Sequence, residues 1–324
     1  MTESTEAGAE PQRRAAPAWQ KALLWGVTVA CFAVLYRNLS GAAAREELDL
    51  VSYLGGIFSR VSWWQWLAYM VPYSFIYFLI DAAVVWRIIN WFNAKVPYGD
   101  ILPIRASAYI ISILNEQVGK GAMTLYLLRH HKVPGWRALS SMILLGLMEI
   151  FQLLLFSAIG VALNFHLVVE ASSQWPLDII LPAVMIFAFV YLPVHIAYFR
   201  TGEGGLREKP ILTAFRQARP VHYFLIVVFK APNLIGAVIV YTFALDLFQV
   251  EVSLGQMLAF LPVIFLAAAL PLPFHAGALV LWTVLFPDYP EVAAFSLVMH
   301  TFFVVFNATI GVMFLPRANR ELFG

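Results

Sequence analysis

Asp81, Glu149 and Lys230 each stand inside a long apolar run of the sequence. An ionised group at the centre of a bilayer costs at least about 2.5 to 3.5 kcal/mol on insertion scales, so such residues face a partner or hydrated space. Counted along helices, all three lie roughly 12 to 17 Å from one end of their run at about 1.5 Å per residue, a shared depth that allows them to meet. Carboxylates there suit proton exchange or a cationic group, and an ammonium suits phosphate or carboxylate. The plainer alternative for Lys230 is a stem that snorkels to the interface, with Pro232 only kinking its helix. His300 and Asn307, two turns apart, share one face of the last apolar run, where such a pair ordinarily joins helices by hydrogen bonds. Arg105, in the leading half of the interrupted stretch Ile101 to Leu128, reads as an interfacial anchor in preference to a headgroup contact.

Two further candidates are breaks in apolar stretches. Asn115-Glu116-Gln117-Val118-Gly119-Lys120-Gly121 interrupts Ile101 to Leu128. Gly119 and Gly121 permit backbone conformations closed to other residues, and a half-helix beginning there turns unsatisfied N–H groups inward. With Lys120 beside it, that end suits a lipid phosphate or carboxylate. Glu116 pairs with Lys120 or receives a cationic group; mutual neutralisation at a wet boundary is the plainer reading. The second break, Pro271-Leu272-Pro273-Phe274-His275-Ala276-Gly277, interrupts Leu254 to Phe286. Pro271 and Pro273 each remove a backbone donor, and Gly277 relieves crowding where the next half begins. His275 can donate to a phosphate or relay a proton, although a lone histidine is more often bonded locally.

The elements that must hold these residues follow from composition. The chain is 61% hydrophobic and 12% charged, against about 25% charged in soluble domains. Net charge is +2 with no long basic tract, which removes nucleic acid as a partner. A hydrocarbon core of about 30 Å takes about 20 helical residues to cross. Six segments qualify: Trp19 to Tyr36, Trp63 to Ile89, Leu139 to Leu163, Pro176 to Phe199, Tyr223 to Leu247 and Val292 to Leu315. The halves of the two interrupted stretches are mostly too short to cross and predict re-entrant hairpins. Lys and Arg counts place both termini in the cytoplasm, so the hairpins enter from opposite faces. The expected fold is therefore an all-α polytopic membrane bundle with an inverted repeat, units about 62–165 and 222–316, in a single transmembrane domain over 18–318. Residues 1–17 and 319–324 read as cytoplasmic tails, the first disordered. Cys31 is the single cysteine and forms no intrachain disulfide. Walker A, HExxH, Gly-x-Ser-x-Gly and spaced Cys/His patterns are all missing, so no catalytic residue, metal or cofactor is assigned.

The polar break followed by the half-helix ending Leu127-Leu128-Arg129, together with Leu270-Pro271-Leu272-Pro273-Phe274-His275-Ala276-Gly277, resembles the flippase-like transmembrane domain of lysylphosphatidylglycerol synthases over nearly all of Lys21 to Arg317. The resemblance implies movement of a polar-headed lipid between leaflets of the cytoplasmic membrane, or handling of a lipid-linked intermediate. With the chain ending at Gly324, the stand-alone form without the soluble synthase domain is expected. The expected cargo is an anionic or zwitterionic phospho- or glycolipid. The rivals are a lipid-modifying transferase with Glu116, Asp81 or Glu149 as general base, a solute or ion carrier, and a membrane partner of a separately encoded synthase. A homo-oligomer is left open.

Overall fold

The computed structural model describes residues 18–112, 116–171, 176–202, 204–270, 272 and 275–323. Among these, six helices are long and apolar enough to cross a membrane: α1 (Ala18–Arg45), α3 (Trp63–Phe92), α6 (Gly135–Leu163), α8 (Leu177–Arg200), α10 (Pro220–Asp246) and α13 (Glu291–Phe323). Between them lie α2 (Leu50–Arg60), α4 (Tyr98–Ser112), α5 (Glu116–His130), α7 (Phe165–Ala171), α9 (Thr213–Gln217), α11 (Leu254–Ala268) and α12 (Ala276–Leu285). No strand occurs among the described residues. The protein is a multi-pass, all-α membrane bundle. Its outer face is apolar, as lipid requires: Val29 on α1 is 64% exposed and Phe187 on α8 is 70% exposed. Surface of that kind would be an association site in water and is the ordinary solvent boundary in a bilayer.

The two interrupted stretches form helix–break–helix units, α4–α5 and α11–α12, with the limbs of each packed together. A capping box starts the second, where Ser253 Oγ accepts from the Gln256 amide at 3.1 Å and Gln256 Oε1 accepts from the Ser253 amide at 2.9 Å. The first break is shorter than the polar sequence suggests. Helix α5 already begins at Glu116, so Gly119 and Gly121 are helical and do not mark its start. Glu, Gln and Lys are good helix formers and carry the helix back through most of the break. A side chain at Gly121 would meet nothing within 4 Å. In the second break the chain turns at His275, whose φ of 51° lies in the left-handed region and which caps α12. Gly277 follows at a close approach: a Cβ there would lie 3.4 Å from the Ala267 carbonyl oxygen, the crowding its position predicts.

Packing between the halves of the chain is reciprocal. Helix α3 lies on α10, each with an internal proline, Pro72 and Pro232. The first limb of each hairpin leaves its own unit: α4 packs on α13, and α11 packs on α6. A glycine makes each of these contacts. A Cβ at Gly160 of α6 would stand 2.6 Å from Ala259 Cα, and one at Gly311 of α13 would stand 3.0 Å from the Ala106 carbonyl oxygen. Small residues let membrane helices approach this closely, and dispersion between the backbones then holds them. Helices α3–α6 and α10–α13 thus each pack one limb against the last helix of the other set.

Candidate functional site

The shared depth of Asp81, Glu149 and Lys230 becomes contact. On α3, Asp81 Oδ2 receives Arg105 Nε at 2.6 Å and the Tyr109 hydroxyl at 3.0 Å, both from α4. From α10, Lys230 Nζ lies 2.5 Å from Glu149 Oε1 on α6 and 3.5 Å from Asp81 Oδ1. Four helices thus close a cluster of two carboxylates and two cations. Asp81 is 1%, Lys230 6% and Arg105 7% exposed. Each charge has a partner of opposite sign, the condition under which ionised groups are tolerated in a membrane interior. Arg105 is therefore no interfacial anchor; its place on α4, a limb that does not span, tucks it against α3. Lys230 does not snorkel, because Glu149 and Asp81 hold it at depth.

The cluster lines a cavity of about 340 Å³ walled by α3, α4, α6, α10, α11, α12 and α13. His275, His300 and Asn307 line it too, as do Tyr73, Tyr241 and Trp282. The imidazole rings of His275 and His300 are 5.8 Å apart. Midway along α6, Ile150 lines the cavity and is also 41% exposed, so the cavity reaches the flank of the bundle there.

Six of the expected site residues thus line one cavity: Asp81, Glu149, Lys230, His275, His300 and Asn307. Gly277 instead packs against Ala267 and Leu272, and Gly121 lies in α5 facing open space. Asn115, Pro271 and Pro273 lie outside the described residues, as do the side chains of Glu116, Gly119 and Lys120. The cavity adds residues that the motifs do not single out, chiefly Arg105, Tyr109, Ser74, Gln152 and Asn233. For Arg105 and Tyr109 a signal exists: their spacing of four puts both on one face of α4. Among the described residues, no group of three or more His, Cys, Asp or Glu could hold a metal ion. Comparison with family models, curated proteins and solved structures returns no match to this chain.

Proposed function

We propose that the cavity is a path for the headgroup of a membrane lipid and that the protein moves a polar-headed lipid between leaflets, the acyl tails staying in the bilayer. The observation that carries this reading is Ile150, a cavity-wall residue exposed on the bundle's flank halfway along a membrane-spanning helix. A cavity that reaches the lipid-facing surface at that depth admits a lipid head sideways, which a carrier of soluble solutes does not need. The reciprocal packing of the two units supports it, since secondary transporters place substrate sites at the interface of inverted repeats. So does the resemblance to flippase-like transmembrane domains. The excess of Lys and Arg around the α5–α6 turn, between α8 and α10 and at the C-terminal end of α13 supports a cytoplasmic membrane with both termini inside.

A transferase using Asp81 or Glu149 as general base is less well supported, because both carboxylates are already engaged by cations. The test is lipid scrambling in proteoliposomes, followed by dithionite bleaching of headgroup-labelled phospholipids and glycolipids. Protein-dependent loss of the inner-leaflet signal is expected, slowed by Ile150→Trp, which narrows the flank opening. Bleaching no faster than in protein-free vesicles for every labelled lipid would overturn the proposal.

A further inference from the structure

Beyond the charged cluster, three residues that line the cavity each carry a neutral polar atom with no hydrogen-bond partner among the described residues. The atoms are Ser74 Oγ, Gln152 Nε2 and Asn233 Oδ1. Their residues are 2%, 4% and 4% exposed. Buried polar groups are almost always bonded, and each exception asks for a missing partner. The amide of Asn233 is oriented by its Nδ2, which donates to the Tyr77 carbonyl at 3.3 Å, leaving Oδ1 as an acceptor. The orphans are therefore an amide acceptor on Asn233, a Gln152 amide that no hydrogen bond orients and that can present either end, and a hydroxyl that can be either.

That mixture selects the ligand's chemistry. A phosphate or carboxylate only accepts, and would leave Asn233 Oδ1 unmatched. An ammonium only donates, and matches Gln152 only if the amide turns its oxygen inward; a zwitterionic head answers donor and acceptor together, but brings two charges to a place where the protein's own already balance. A group with several hydroxyls both donates and accepts at each, and answers all three atoms. The surrounding rings agree. Tyr241 stacks on Trp282 with centroids 6.2 Å apart and planes 7° apart, and Tyr73 meets Tyr241 edge-on at 6.2 Å. Aromatic faces are electron-rich and take the weakly positive C–H face of a sugar or cyclitol ring. The ionised residues beside them already balance one another, so no net charge is asked of a ligand here.

We propose that this part of the cavity is a subsite for a neutral polyhydroxylated group, a glycosyl or inositol moiety, carried by the lipid. The inference rests on the reading of the cavity as a headgroup path and narrows its cargo. Native mass spectrometry of the purified protein, titrated with chain-matched glucosyl diacylglycerol, phosphatidylinositol, phosphatidylethanolamine and phosphatidylserine, tests it.

The first two lipids are expected to be retained about tenfold better, the factor one satisfied buried hydrogen-bonding group carries. Gln152→Leu and Asn233→Leu should erase the preference. Gln152→Leu removes only an unsatisfied buried group and should melt no lower than the parent protein, whereas Asn233→Leu also gives up the bond to the Tyr77 carbonyl and should melt slightly lower. Retention of glucosyl diacylglycerol alone would assign the subsite to sugars without phosphate. Retention of both would show that a phosphate is accommodated alongside the polyol. Equal retention of all four overturns the subsite, leaving water as the partner of the three atoms. Selective retention with no scrambling would remove the translocation path and keep the subsite. Scrambling of all four lipids at one rate would do the reverse.

Discussion

Lys230 and Glu149, 81 residues apart in the chain, hydrogen-bond at 2.5 Å between α10 and α6. Lys230→Met removes the cation and leaves Glu149 without it. Breaking a buried pair from one side costs about 3 to 5 kcal/mol, most of it the uncompensated charge. The melting temperature in detergent should fall well below that of the parent protein. Adding Glu149→Gln to the same chain should restore part of the loss. A double variant melting lower than Lys230→Met would show that the pair is not coupled.

Asp81 faces two cations, at 2.6 and 3.5 Å, and accepts from Tyr109 as well. Asp81→Asn should therefore destabilise more than Glu149→Gln, whose residue is only half-buried and touches the cluster through Lys230. Side-by-side thermal melts of the two variants check the order. The reverse ranking would place the weight of the cluster on α6.

The reciprocal glycine contacts predict paired sensitivity. Gly160→Ala sets a methyl group against the backbone of Leu258 and Ala259, and Gly311→Ala sets one against Ile110 and the Ala106 carbonyl. Overpacking of this kind costs about 1 to 3 kcal/mol. Gly160→Ala should be the worse, because backbone gives way less readily than the Ile110 side chain. Gly121→Ala, in open space, should melt like the parent or slightly above it.

Outside the spanning helices, Asp49 caps α2 by accepting from the Ser52 amide at 2.8 Å and the Ser52 hydroxyl at 2.7 Å. Those bonds hold its carboxyl below the usual value of 3.8. A depressed folded-state pKa gives stability that is complete above the unfolded value and is lost as pH falls through the folded one. Amide protection in α2, corrected for the intrinsic pH dependence of exchange, should therefore fall below about pH 4 in the parent protein. In Asp49→Asn, which keeps a neutral cap, it should stay level over that range. A parallel fall in both would point to another titrating group.

The meeting of Asp81, Glu149 and Lys230 was legible because each lies on a spanning helix, where residues counted from the end convert to depth. Arg105 was misread for the complementary reason. It sits on α4, whose 15 residues are too few to cross a bilayer, so a count along the spanning helices does not reach it. Ser74, Gln152 and Asn233 carry no local signal at all. Each is one polar residue in an apolar helix, and only packing decides whether it turns to a cavity, a neighbour or lipid. Gly160 and Gly311 are alike in this, since glycine is common in spanning helices and its role appears only against α11 and α4. The first hairpin break was overestimated because a polar composition was taken for irregular backbone, although Glu116, Gln117 and Lys120 all favour helix.

The packing of α3–α6 on α10–α13 is reciprocal, but the buried charges are not shared evenly. Asp81, Arg105 and Glu149 all come from α3–α6, whereas α10–α13 supplies only Lys230 to the cluster. If the two units exchange conformations during a cycle, the exchanged states present unlike charge sets to the two leaflets. Their energies then differ before any cargo binds, and the resting protein is biased toward facing one side.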